Sequence, residues 1–78
     1  MTHVEKWFLR RTLEELVKAA AAGKHTLTAS EIASLLGYDN TAWPLRLLHR
    51  LARSGQITRT VVGGEGYRWS LKEEQRAG

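Results

Sequence analysis

Glycines punctuate this 78-residue chain so tightly that each element between them must be short. Gly23, Gly37 and Gly55 each close a stretch whose apolar residues recur at helical spacing, and a glycine after such a run is a natural helix stop. Beyond them, "GGEG" (Gly63 to Gly66) separates two stretches that alternate apolar and polar residues, the pattern of a β-hairpin. The chain contains no cysteine, so it has no disulfide framework and no zinc–thiolate site. Stability has to come from one small core assembled from several short elements.

Within this frame, residues 4–22 read as a first helix, with Leu9, Leu13, Leu16, Val17 and Ala20 as its apolar stripe. Glu14 and Lys18 form an i,i+4 pair on its outer side. Trp7 and Phe8 add apolar surface beyond the stripe, for the core edge or for a partner. Lys24 to Thr28 is too short for a helix and suits a short strand. "TASE" (Thr28 to Glu31) is a capping box: the Thr28 hydroxyl accepts from the Glu31 N–H, and the Glu31 carboxylate reaches back to the Thr28 N–H. The second helix then covers about residues 29–36, followed by a turn at Tyr38 to Thr41, with Tyr38 as an apolar plug.

The third helix, about residues 41–54, carries the stretch "AWPLRLLHRLARSG". Pro44 fits there only in the first turn, where its missing N–H costs nothing. With Leu47, Leu48 and Leu51 turned inward, the helical step turns Arg46, His49, Arg50 and Arg53 outward. Gln56 to Val62 and Tyr67 to Leu71 are the strands of the hairpin, and Trp69 belongs to the core between the third helix and the sheet. Residues 1–72 form one domain, and residues 73–78 a polar tail.

Charge is distributed unevenly along this framework. Residues 1–39 hold five basic and five acidic side chains, and residues 70–78 two of each. Residues 40–69 hold five arginines (46, 50, 53, 59 and 68) against Glu65 alone, so this segment carries the whole net charge of +4. A solvated helix face ordinarily mixes signs, whereas a confined positive field is the usual mark of a polyanion site.

The order helix, short strand, helix, turn, helix, hairpin resembles the winged helix-turn-helix family. The residues that carry the resemblance are "TASEIASLLGYDNTAWPLRLLHRLARSGQITRT". It implies an α+β fold with three helices, a short strand and a C-terminal β-hairpin wing. It further implies a DNA-binding regulator of transcription or replication, whose third helix enters the major groove of double-stranded DNA. On that basis Arg46, His49 and Arg50 come nearest the base edges, Thr41, Ala42 and Trp43 form the leading end, and Arg53 lies nearer the backbone. Arg59 and Arg68 on the wing meet phosphate or the minor groove. Arginine suits this work because it reaches guanine O6 and N7 bidentately. One subfamily, the readers of left-handed duplexes, also carries a tryptophan at the place of Trp69. Its asparagine, tyrosine and wing proline pair are replaced here by Leu45, His49 and "GGEG", so that match fails.

Two other readings stay open. Winged helices also dock on proteins, and Trp43, Leu45 and Trp7 are the candidate anchors for such a partner. The basic surface also suits A-form RNA. Trp43 itself either lids the core or stacks on a partner. A homodimer through the first helix, with Trp7, Phe8 and the alanine-rich end, would enlarge a small DNA contact. No enzyme is expected: the serines lack plausible His and carboxylate partners, and "GGEG" lacks the spacing and following helix of a phosphate loop. No metal site and no cofactor are expected, since His3 and His25 are isolated. The amino-terminal sixteen residues lack the unbroken apolar run of a signal peptide, no segment is long enough to span a bilayer, and a cytoplasmic location is expected.

Overall fold

A computed structural model describes residues 2–64 and 66–72. The expected polar tail at 73–78, and Glu65 of the "GGEG" stretch, lie outside the described residues. The architecture is α+β, with three helices and a two-stranded antiparallel hairpin in a winged-helix-like arrangement: α1 (His3–Ala21), α2 (Ala29–Leu35), α3 (Ala42–Arg53), β1 (Thr58–Val62) and β2 (Gly66–Ser70).

Each element starts and stops for a local reason. The Thr2 hydroxyl accepts from the Glu5 N–H at 3.1 Å and caps α1. The capping box forms at α2, with both reciprocal bonds between Thr28 and Glu31 present. Lys24 donates to the same Glu31 carboxylate. This bond, and then the Thr28 N–H, holds the Glu31 carboxyl below its ordinary range. Helix α3 has no side-chain cap from Thr41; instead the Asn40 amide oxygen accepts from the Ala42 N–H at 3.1 Å. Pro44 is buried in its first turn. The left-handed backbone at Gly37 (φ +87°) and Gly55 (φ +81°) reverses the chain after α2 and α3.

The core is drawn from every element. Phe8, Leu16, Leu27, Ile32, Leu47, Leu48, Leu51, Ile57, Trp69 and Leu71 are buried together, with Phe8, Ile32, Leu48 and Trp69 fully enclosed. In α1 the buried face differs from the leucine stripe expected from spacing. It runs through Phe8, Thr12, Glu15 and Leu16, whereas Leu9 and Leu13 are half-buried at its margin and Val17 is 53% exposed. Phe8, Thr12 and Leu16 succeed one another at four-residue steps, so one helix face accounts for all three. Phe8 is therefore core and not part of any surface for a second copy.

The expected strand at 24–28 contracts to one bridge. Leu27 exchanges both backbone hydrogen bonds with Trp69, at 2.9 and 2.8 Å, on the edge of β2 away from β1. That bridge ties the segment before α2 to the hairpin and fixes Trp69 from a second side. Among the described residues, no helix is long and apolar enough to cross a membrane.

Candidate nucleic-acid interface

Helix α3 divides into four strips because each residue advances the side chain by about 100°. Pro44, Leu47, Leu48 and Leu51 face the core and are buried. Opposite them, Ala42, Arg46 and Arg53 are exposed along the crest. His49 occupies the shoulder toward the hairpin, and Trp43 and Arg50 the shoulder toward α1. A shallow groove of about 490 Å³ runs along this outer surface, bordered by Trp43, Arg46, His49, Arg50 and Arg53. Thr41, at the N-cap, is half-buried.

The hairpin shoulder is built by side chains from three elements. Arg59 on β1 stands opposite Trp69 on β2, and Val61 opposite Tyr67, so these four share one face of the hairpin. His49 sits edge-on to both aromatic rings, with centroids 4.8 Å from Tyr67 and 5.0 Å from Trp69. The Arg59 guanidinium lies 5.3 Å from the Tyr67 ring centroid, a cation–π distance, and 2.9 Å from His49 Nδ1. A guanidinium only donates, so Nδ1 accepts, and the neutral imidazole carries its proton on Nε2. Arg59 is thereby fixed beside α3 and extends its positive surface onto the hairpin.

Burial, with Arg59 and Arg53 nearby, lowers the pKa of His49 from its ordinary value. The unfolded chain accordingly binds this proton more readily than the folded one. Stability is then fully present above the ordinary imidazole value of about 6.5 and is lost as the pH falls through the lowered value. Urea midpoints at pH 7.5 and 5.5 are expected to differ in that direction, and His49→Gln is expected to shrink the difference.

The other arginines fare differently. Arg68 alternates with Trp69 and so lies on the opposite face of the hairpin, where its Nη1 donates to Thr26 Oγ1 at 3.3 Å. It is not brought together with Arg46, Arg53 and Arg59. Arg50 is held by a carboxylate: its Nη1 lies 2.7 Å from Glu5 Oε1 of α1. Among the described residues, no carboxylate lies within ion-pair distance of Arg46, Arg53 or Arg59.

Trp43 takes the first of the two roles left open for it, a lid on the core, and keeps an exposed edge. Its ring meets Phe8 edge-on at 5.8 Å and Tyr38 at 5.3 Å, which lids the core, yet 38% of it remains exposed. Tyr38 also packs on Phe8, and burial raises its pKa, as expected of an apolar plug. Leu45 packs against the core and is only partly exposed. Sequence reasoning missed Tyr67 and Glu5. The first was legible as the alternate of Trp69 in β2, but the second reaches Arg50 across 45 positions with no local signal.

No protein-family model matches this chain, and no curated protein sequence matches it.

Proposed function

We propose that this protein binds double-stranded DNA through the crest of α3 and the adjoining face of the hairpin, as a small regulator of transcription or replication. The observation that carries this reading is the neighbouring placement of Arg46, Arg53 and Arg59, where Arg46 and Arg53 border one groove and Arg53 and Arg59 the next, and none of the three has an ion-pair partner among the described residues. A charge left unpaired at a surface is open to a phosphate or a base edge. Ala42 leads the same crest and is small enough to let the helix approach a groove. Arg50 and His49 flank it, and the Nε2–H of His49 is a donor. The winged-helix-like arrangement supports the assignment, since this helix is the one such folds lay in the major groove.

The protein-docking alternative, anchored by Trp43 and Leu45, has weaker support. Leu45 packs against the core, and Trp43 covers Phe8 and Tyr38. Of the apolar surface on α1, Val4, Trp7 and Val17 remain exposed for a second copy.

The test is fluorescence anisotropy of a labelled DNA duplex over a salt series. Three phosphate contacts, from the unpaired Arg46, Arg53 and Arg59, predict a slope of log K against log[salt] of about −2.7. A flat response contradicts the reading. A duplex RNA competitor that displaces the DNA completely at equal concentration moves the assignment to A-form helices.

A further inference from the structure

Arg50 is the α3 arginine that a carboxylate already occupies, and that carboxylate is well placed to stay where it is. Glu5 sits in the first turn of α1, its backbone N–H capped by Thr2. A helix N-terminus favours a negative charge. Its side chain is 21% exposed, against 66% for Arg50, so the mobile member of the pair is the arginine. Glu5 and Arg50 form the only ion pair between α1 and α3 among the described residues. The pair lies on the α1 shoulder of the proposed DNA-binding groove, which Arg50 borders.

We propose that Glu5 is an internal competitor for phosphate at Arg50, which sets the protein's DNA affinity below what its arginines alone would give. This inference rests on the DNA-binding reading above. In the free protein the Glu5 carboxylate takes the hydrogen bond that Arg50 would give to a phosphate oxygen. On binding, Arg50 exchanges one anion for the other, and Glu5 is left near the duplex as an uncompensated negative charge. Arg50 therefore contributes little net affinity in the native chain, and its contribution emerges when Glu5 is neutralised.

The experiment measures duplex DNA binding at fixed salt for the wild-type chain, Glu5→Gln, Arg50→Ala and the double variant. Glu5→Ala serves as a second neutralising variant, and thermal melts monitor folding. Glu5→Gln is expected to bind about three- to fivefold tighter, the upper part of the range measured for exposed charge pairs, and with a steeper salt slope. Arg50→Ala is expected to weaken binding more in the Glu5→Gln background than in the native one. Duplex binding by the wild-type chain with no gain in either Glu5 variant overturns this inference alone. An equal effect of Arg50→Ala in both backgrounds also overturns it. Absence of duplex binding by the wild-type and both Glu5 variants overturns the DNA-binding reading itself, and this inference with it.

Discussion

With Arg46, Arg53 and Arg59 all replaced by alanine, duplex binding is expected to fall roughly a hundred- to a thousandfold. Each of these arginines is exposed and unpaired by carboxylates among the described residues, so each is available to one phosphate or base. Loss of such a contact typically costs about 1–3 kcal/mol, and three together exceed roughly 3 kcal/mol, or more than two orders of magnitude in Kd. The fold is expected to survive, because none of the three contributes to the core. Removing Lys6 and Arg10 from the exposed surface of α1, together with Arg76, lowers the net charge equally and is the matching control. If both triple variants weaken binding alike, the effect is net charge and not a site. If Trp43→Ala abolishes partner binding while the arginine variant leaves it intact, the protein-docking alternative takes precedence.

The second large effect concerns the fold that holds this surface in place. Trp69→Ala is expected to destabilise the domain by about 3–5 kcal/mol, a large part of the stability of a chain this size. Trp69 is fully enclosed, bridges to Leu27 through two backbone hydrogen bonds, and packs against the His49 ring that holds Arg59. Its loss opens a cavity between α3 and the hairpin. Trp69→Phe is expected to cost much less. It removes volume, but it also removes the indole N–H, which is buried with no hydrogen-bond partner among the described residues. Urea unfolding followed by circular dichroism measures both. Equal costs for the two variants would mean that ring volume is not what Trp69 contributes.

The helices and hairpin were legible in the sequence where local chemistry decides structure. The Thr28–Glu31 capping box, the glycines after α2 and α3, and the inward leucines of α3 are signals contained within a few residues. The orientation of α1 was not legible in the same way. Thr12 and Glu15 lie on its buried face, while Leu9 and Leu13 imitate a core stripe on the neighbouring one. Glu15 is tolerated there because Arg11 and Lys18 lie 3.2 and 3.6 Å from its carboxylate. The arginine surface was legible as a set but not in its membership. Once Trp69 is assigned to the core, the two-residue period of a strand turns Arg68 to the far face. The position of Arg59 depends on strand register, and the pairing of Arg50 with Glu5 depends on packing between helices distant in sequence.

The most direct test is an amide chemical-shift map of the protein titrated with a short DNA duplex. The account predicts that the largest changes fall on Ala42, Arg46, His49, Arg50 and Arg53 of α3 and on Arg59 of β1, with little change at Lys18, Ser34 or Leu35 on the side of α1 and α2. Changes concentrated at those last residues, or none at duplex concentrations that saturate binding, would contradict it.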